Sequence, residues 1–451
     1  MMDRTQLSRL GLFDARVPRY TSYPTAPQFG GGVDAGRLVR WIEAIPEGGQ
    51  ISLYLHIPFC RRLCWFCACR TQGTATASPV AAYLETLKAE LALLRRHLPR
   101  GVTLSRMHWG GGTPTLLTPE MIRDLAGAVQ EVAAFAPGAE FSVEIDPNEI
   151  DRARAEALRA AGMTRASIGV QDFDPEVQGA IGRSQSFEVT HRAVEMVRDA
   201  GIASLNADIL YGLPHQSRAR ITETVQKLLS FAPDRVALYG YAHVPWVARR
   251  QQMIPTEALP GPEARLDLDE TARRLFLWDG YRQIGIDHFA RPGDGLEIAQ
   301  RTGKLRRNFQ GYTDDTAPVL VGLGASAISR FPLGYAQNAP ATSAYVAAVR
   351  AGKFPVTRGH VFAGEDRMRA RLIEAVMCDL RIDAAEILSA FDVTETELFA
   401  LFRSAAAAFE GKLLVSDAGL AVPEEMRPLV RLIARHFDAY DLSRAGHSAA
   451  I

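Results

Sequence analysis

What this chain has little of limits what it can be. Cysteine is scarce, five in 451 residues, and four of the five fall in one stretch. The dispersed, paired cysteines of a disulfide-stapled secreted domain are therefore missing. Neither sign of charge predominates: 51 basic residues balance 51 acidic ones. Nothing thus marks the protein for a nucleic-acid backbone or an anionic membrane surface. No apolar run approaches the roughly 18 residues that a membrane span needs. The opening MMDRTQLSRL lacks the basic-then-apolar plan of a secretory signal, so a cytoplasmic protein is expected. Low-complexity tracts are absent as well. Apolar residues make up 47%, an ordinary share for a globular chain long enough to bury a large core.

What is there is concentrated. Ser52 to Thr71 reads SLYLHIPFCRRLCWFCACRT and carries Cys60, Cys64, Cys67 and Cys69. The spacing C-x3-C-x2-C can bring three thiolates to three corners of an iron–sulfur cluster and leave one iron open. Two alternatives stay open. Structural zinc prefers four ligands in two separated pairs, and a dithiol reading of Cys64 and Cys67 leaves two cysteines without a use. Cys378 lies in the apolar helical pattern LIEAVMCDL and is read as a core thiol.

The cysteine stretch heads a repeating pattern. Ile51 to His56 alternates as a strand does. Ser78-Pro79 then provides a helix cap and a proline in the first turn, and Val80, Tyr83, Leu87, Leu91 and Leu94 mark one helical face. Further strands follow over 105–109, 140–145, 166–170, 204–210 and 235–241, with amphipathic helices between them. Short apolar strands alternating with helices imply a parallel sheet covered by helices. Six such units predict an α/β fold built on a partial parallel (β/α)6-type barrel, although periodicity alone leaves a doubly wound sheet open. Residues 1–50 include VPRYTSYPTAPQF and are expected to form an extended N-terminal segment rather than a core element, since each proline pushes its predecessor out of the helical region. Residues 51–350 are expected to hold the barrel and its extension, with added strands at 281–289 and 319–323. Residues 351–451 are expected to form a small, mainly helical C-terminal domain with a hairpin at GKLLVSDAGLAV.

The cysteines lie just past the C-terminal end of the first strand, where parallel α/β folds build their sites. C-x3-C-x2-C with an aromatic, Phe66, before the third cysteine resembles the motif of the radical S-adenosylmethionine (SAM) superfamily. Gly110-Gly111-Gly112-Thr113-Pro114, after the second strand, resembles that superfamily's glycine motif; without Cβ atoms a backbone can approach a ligand closely. Further strings narrow the resemblance to the oxygen-independent coproporphyrinogen III oxidase (dehydrogenase) family over about residues 15 to 380. They are PRYTSYPTA (18–26), YLHIPFC (54–60), HWGGGTPT (108–115), EIDP (144–147), GVQDF (169–173) and DILYGLP (208–214). YAHVP (241–245), DHFARP (287–292), RNFQGYT (307–313), GLGASAIS (322–329) and YAQN (335–338) continue the series in the family's order.

The resemblance implies a barrel of the radical SAM kind. It implies conversion of two propionates of coproporphyrinogen III to vinyls with release of two carbon dioxides, driven by a radical made from SAM at one 4Fe–4S cluster. Cys60, Cys64 and Cys67 would ligate that cluster, with Cys69 an extra, non-ligating cysteine. Tyr54, Gly111, Glu144 and Ile328 would contact the cluster-bound SAM. Phe66, Gly112, Thr113, Gln171, Arg183, Asp208 and Ala242 would contact a second SAM molecule. An electron donor such as a flavodoxin or ferredoxin, and a monomeric enzyme, are further expectations.

Residue chemistry agrees with these roles. Asp208 and Glu144 can accept from ribose hydroxyls or an ammonium group, and Arg183 can clamp a carboxylate with its fork of donors. Without the resemblance, Asp208 reads as a helix cap, Arg183 as a surface ion pair and Gln171 as a core amide. Tyr54, His56 and Cys69 are candidate catalytic side chains. His56 and His288 could shuttle protons, and a structural hydrogen bond would serve either as well. The substrate's four propionates point to Arg19, Arg291 or Arg307 as partners.

The chain departs from the family pattern at Gly240, where asparagine is common, at Ala434-Arg435, where Cys-Met is expected, and in its short tail to Ile451. Competing readings are a haem-binding chaperone or haem-degrading radical methyltransferase of the same superfamily, and a non-enzymatic porphyrin-binding or iron–sulfur sensor. PRYTSYPTA and Cys69 weigh against the first. Gly111, Glu144 and Asp208 weigh against the second.

Overall fold

The computed structural model describes residues 3–441 and 448–451, so part of the divergent tail, 442–447, lies outside the described residues. Six parallel strands carry the architecture: β1 (Gln50–Ile57), β2 (Thr103–Gly111), β3 (Phe135–Ile145), β4 (Arg165–Gln171), β5 (Ser204–Tyr211) and β6 (Arg235–Gly240). They lie side by side in that order. Helices Ser78–His97, Pro119–Val132, Arg152–Ala160, Phe187–Asp199 and Arg218–Ser230 make the crossovers. Each expected strand–helix unit is present. One detail differs: the first of these helices begins at Ser78 itself, with Ala77 in the capping position and no side-chain cap. Thr118, by contrast, caps its helix by accepting from the Met121 N–H.

Both edges of the sheet are extended. β7 (Arg282–Ile284) and β8 (His288–Ala290) continue it antiparallel beyond β6. On the other side β9 (Leu320–Leu323) pairs parallel with β1, followed by antiparallel β10 (Ile328–Phe331), β11 (Gly334–Asn338) and β12 (Val356–Val361). The order β12-β11-β10-β9-β1-β2-β3-β4-β5-β6-β8-β7 leaves the barrel open, because β1 is flanked by β2 and β9. The sheet also runs past 350, the expected division, to Val361.

Alternation decides which face does what. Outward residues such as Leu53, Leu55, Met107, Trp109, Val143, Ile168, Ile209 and Leu238 are buried in one core under the helices. Inward residues are polar, and those of β2 to β6 and β8 line a single cavity of about 230 Å³, as only a curved sheet allows. Its floor, toward the N-terminal ends of the strands, is a network of ion pairs. Arg106 reaches Glu140 and Asp314 at 2.7 Å each, Arg165 reaches Glu140 at 2.9 Å, and Arg235 reaches Asp294 at 2.7 Å.

The N-terminal segment is not extended throughout. It holds helices Arg4–Arg9 and Ala35–Glu43, and its proline-rich part enters a second core. Val17, Tyr20 and Tyr23 are buried there with Leu372, Val376, Phe402, Leu429 and Phe437. Prolines keep this stretch out of a helix, but its two tyrosines still bury their rings by finding polar partners. Tyr20 donates to Asp438 at 2.9 Å, and the Ala439 N–H donates to the Tyr23 hydroxyl at 3.0 Å. The C-terminal region is helical over Asp366–Asp379, Ala384–Ala390, Glu395–Ala408 and Val430–His436, and the expected hairpin pairs Leu414–Ser416 with Gly419–Ala421.

Burial alone would raise the Glu140 carboxyl, but Arg165, Arg235 and Arg106 outweigh it and hold it down to about 2. A depressed folded-state value means that its stabilisation is complete above the unfolded value of 4.5 and is lost as pH falls from there toward 2. Glu140→Gln is expected to cost about 3–5 kcal/mol at neutral pH, because it leaves three neighbouring guanidinium groups with only Asp294 and Asp314 to share. Urea unfolding followed by circular dichroism at pH 7 and near pH 3 checks this: the gap between wild type and variant should narrow at the lower pH.

Candidate active site at the cysteine loop

The cysteine loop is a closed unit. Phe59–Cys60 pairs in parallel with Gln72–Gly73. The Gln72 N–H donates to Pro58 O at 2.7 Å and the Thr74 N–H to Cys60 O at 3.0 Å. Inside it the Trp65 N–H is tied to Ile181 O at 2.9 Å, and all four cysteines are free. The Cys69 N–H and Arg183 Nη1 donate to the sulfurs of Cys67 and Cys64, each at 3.4 Å. Burial pushes the Cys60 thiol up to about 11, against a hydrogen bond from Thr113, and raises Cys64 against the pull of Arg183. A stable thiolate at either position thus needs a cationic partner.

The glycines of β2 hold this loop against the sheet. Gly111 has φ +108°, and a Cβ there would lie 2.5 Å from the His56 ring. A Cβ on Gly112 would lie 2.5 Å from Phe59 O. In their place the Gly112 N–H donates to Ile57 O at 2.8 Å and the Thr113 N–H to Phe59 O at 2.7 Å. Any side chain at Gly112 would displace the backbone just before Cys60.

Around this rim the predicted residues fall into two neighbourhoods. Tyr54 stacks on His108 at 5.8 Å, and His108 approaches Glu144 at 3.3 Å. The other Glu144 oxygen accepts from the Gly111 N–H at 3.0 Å. Burial would raise Glu144, but His108 and Gly111 bring it below the ordinary carboxylate value. Ile328 opens β10 beside this group: Tyr54 pairs with Gly322, whose Cβ would lie 2.5 Å from Ile328 O. In the second neighbourhood Gln171 ends β4 at φ +68°. Arg183 donates to Gly169 O at 2.8 Å and faces Asp146 at 3.6 Å, so it is no surface ion pair. Its Nε is buried without a hydrogen-bond partner among the described residues. Burial pushes Asp208 up to about 6, opposed by its bond from Asn206 and reinforced by Glu144. Phe66 and Ala242 are stapled together by Gln251, whose Nε2 donates to their carbonyls at 2.7 and 3.0 Å.

Both histidines have their ring nitrogens engaged. His56 meets the Tyr54 hydroxyl at 3.0 Å and Arg70 O at 3.1 Å; burial lowers its pKa, and a proton on Nε2 satisfies both contacts. His288 meets Asp287 at 2.7 Å and the Tyr239 hydroxyl at 3.4 Å. These contacts favour holding roles over proton shuttling.

The three arginines separate. Arg19 donates to Gly240 O at the end of β6. Arg307 is buried, stacks over Tyr312 at 4.4 Å and faces Asp287 at 3.5 Å, with Nε and Nη1 lacking partners among the described residues. Arg291 is at the wrong end. Antiparallel β8 carries it away from the rim, its N–H bonds Asp234 O ahead of β6, and its guanidinium lies over Tyr281. Gly240 leaves room for Tyr211, whose hydroxyl would lie 2.8 Å from an added Cβ. Cys378 is fully buried beside Ile284 and Leu305.

His108, Asp146, Tyr239 and Gln251 were not foreseen. The first three lie within or beside the matched strings, but nothing in the sequence marks Gln251. Among the described residues no three His, Cys, Asp or Glu side chains gather closely enough for a single metal ion. Zinc would require that. A cluster does not, since each of its thiolates binds a different iron. A closed loop of three half-buried thiols beside a glycine-lined rim fits the cluster.

A radical SAM superfamily profile matches residues 54–228. The chain is 65% identical over 452 residues to an oxygen-independent coproporphyrinogen III oxidase of Paracoccus denitrificans, covering all of both chains. It is 38% identical to the Escherichia coli protein of that name, covering 94% of this chain and 93% of the other. The solved Escherichia coli coproporphyrinogen III oxidase, described as a radical SAM enzyme, superposes with a TM-score of 0.89 at 36% identity, over 95% of this chain and all of that one.

Gly112→Ala is expected to lower iron and sulfide content after anaerobic reconstitution at least several-fold, with the far-ultraviolet dichroism unchanged. Wild-type iron content in the variant would mean that the close contact with Phe59 does not hold the loop.

Proposed function

The chain belongs to the oxygen-independent coproporphyrinogen III oxidases of the radical SAM superfamily, and from that premise we propose how its own residues carry the reaction. The enzyme is an oxidoreductase of porphyrin biosynthesis that converts two propionates of coproporphyrinogen III to vinyls, giving protoporphyrinogen IX. When bound, a reduced 4Fe–4S cluster supplies the electron that splits SAM into methionine and a 5′-deoxyadenosyl radical. Each propionate then gives up a hydrogen atom to that radical, its carboxyl group as carbon dioxide, and one electron to an outside acceptor.

Cys60, Cys64 and Cys67 hold the cluster, and Arg183 and the Cys69 N–H donate to the sulfurs of Cys64 and Cys67. Cys69 acts through that contact rather than as a ligand. Tyr54, Gly111, Glu144 and Ile328 bind one SAM. Glu144, ionised and fixed by His108 and Gly111, accepts from its ammonium group or ribose. Phe66, Gly112, Thr113, Gln171, Arg183, Asp208 and Ala242 bind a second SAM, with the unpartnered Nε of Arg183 offered to its carboxylate. His56 is a positioning residue that seats Tyr54 and the loop carbonyl of Arg70. Arg19 and Arg307 hold propionates; the two orphaned donors of Arg307 support this. The chain's contribution to rate is placement of a propionate β-carbon against C5′ and exclusion of water.

The observation that carries the reading is the closed three-cysteine loop against a glycine rim, in a chain 65% identical to a named relative along its whole length. A cytoplasmic, monomeric enzyme reduced by a flavodoxin or ferredoxin completes the proposal. Among the described residues no helix is long and apolar enough to cross a membrane.

The test is anaerobic turnover with dithionite, SAM and coproporphyrinogen III. About two 5′-deoxyadenosines per protoporphyrinogen are expected, and none from Cys64→Ala. Nucleoside without porphyrin product would point to a haem chaperone or methyltransferase of the superfamily. No nucleoside from a protein with an intact cluster would point to a sensor. Arg307→Ala should raise KM for the porphyrinogen about tenfold or more and leave nucleoside formation without substrate unchanged.

A further inference from the structure

One surface beside the cysteine loop is unlike the rest of the molecule. Two stretches meet at the loop: residues 61–77, which include it, and residues 243–255, which are hydrogen-bonded to it. Together they hold five arginines (Arg61, Arg62, Arg70, Arg249 and Arg250) and neither aspartate nor glutamate. At the chain-wide frequency of 51 acids in 451 residues, about three would be expected in those 30 positions. Arg61, Arg62, Arg70 and Arg249 are exposed. Arg16 adds a sixth guanidinium, 5.3 Å over the ring of Trp246. The acids that face this group are few: Glu149 approaches Arg61 at 4.0 Å, and Asp14 and Glu257 are exposed nearby in sequence.

The same surface is apolar where it is least protected. Trp246, Val247 and Met253 are 54%, 57% and 59% exposed. They are three of the eight large hydrophobic side chains left exposed among the described residues. Exposed tryptophan and methionine in the same short stretch as Arg249 and Arg250, with Arg16 over the Trp246 ring, is the composition of a protein interface. The stretch is held in place on the cysteine loop. Arg250 donates to Cys69 O at 3.2 Å and to the Thr71 hydroxyl at 2.8 Å, while Gln251 bonds Phe66 O.

The reaction demands a visitor at this place. Each cleavage of SAM takes one electron from outside the chain. The fifth cysteine, Cys378, stands alone in the core, so no cysteine set remains for a second cluster to relay it. Electron transfer falls steeply with distance, so a protein donor must sit against the cysteine loop itself.

We propose that the surface formed by residues 61–70 and 246–253 is the docking site for a small acidic one-electron carrier protein, with Trp246, Val247 and Met253 as its apolar centre and Arg61, Arg62, Arg70 and Arg249 as its charged rim. The carrier is oxidised by one electron and the cluster is reduced by one. The inference rests on the radical SAM reading of the cysteine loop. Opposite charge at the rim steers encounter and makes it salt-dependent, while the apolar centre supplies most of the hold.

The test uses the reconstituted enzyme with two acidic probes, a flavodoxin and a ferredoxin, and measures Kd by surface plasmon resonance at low and moderate salt. At least one carrier should bind more weakly as salt rises. The double variant Arg62→Glu/Arg249→Glu and the single variant Trp246→Ala should each raise its Kd tenfold or more. Dithionite is small and needs no docking, so dithionite-driven 5′-deoxyadenosine release should stay at the wild-type rate in both variants. Binding of neither carrier by the wild type, or an unchanged Kd in both variants, overturns the docking site. Absence of dithionite-driven nucleoside from the wild type overturns the radical reading beneath it instead.

Discussion

A charge inside a protein needs a partner, and the inward face of this sheet is organised by that requirement. A parallel sheet covered by helices on one side must be apolar there. Its other side can be polar only where the polar groups satisfy one another or a ligand. At the floor they largely satisfy one another: Arg106, Arg165 and Arg235 share Glu140, Asp294 and Asp314, and of these groups Arg165 alone keeps a donor, Nη1, with no partner among the described residues. Toward the rim satisfaction becomes incomplete. Glu144 still has His108 and the Gly111 N–H and stays ionised, whereas Asp208 has, among the described residues, only the Asn206 amide as a hydrogen-bond partner and is pushed up. Arg183 and Arg307 keep donors with no partner among the described residues. The carboxylates show the difference most clearly, shared among guanidinium groups at the floor and, among the described residues, without a cationic partner at Asp208 near the rim, and this contrast separates scaffold from site.

The second constraint is steric. The start of the cysteine loop approaches the end of β2 so closely that Gly112 admits no Cβ, the His56 ring leaves none for Gly111, and the Gly112 and Thr113 N–H groups bond directly to Ile57 O and Phe59 O. Cys60 is thereby fixed to the sheet by two peptide groups rather than by its own side chain. Cys64 and Cys67 are fixed less directly, through Trp65 on Ile181 and the Gln251 staple on Phe66. The precision of the loop therefore depends on residues more than a hundred positions away.

Most of the barrel was legible because each of its units is local. A strand's alternation and a helix's stripe are written in adjacent residues, and all six strands and their crossovers fall where the pattern puts them. The polar inward face was legible in the same way, in Arg106-x-His108, Asn206-x-Asp208 and Arg235 ahead of Tyr239. What escaped was non-local. Arg291 and Arg307 stand in equally recognisable strings, yet the antiparallel turn of β8 sends one away from the rim while a buried hairpin, Arg306–Asn308 with Gly311–Thr313, holds the other beside Asp287. Gln251 carries no motif, since a glutamine's meaning depends on which two carbonyls happen to flank it.

The N-terminal segment departs from its expected form for a related reason. Its prolines argue correctly against a helix, but absence of regular structure is not absence of burial. Arg431 shows what holds it. This half-buried side chain has no carboxylate partner among the described residues, and desolvation lowers its pKa to about 9. It bonds Val17 O and Pro18 O from one end of the chain and Ala449 O and Ala450 O, at 2.9 and 2.8 Å, from the other. Five donors in a planar fork can join two irregular backbones whose carbonyls would otherwise be buried unpaired. Arg19 follows directly on Pro18, so the same clamp sets where Arg19 meets Gly240 at the end of β6. The placement of one candidate substrate contact is thus set by the packing of both chain ends, and no local string of residues encodes it.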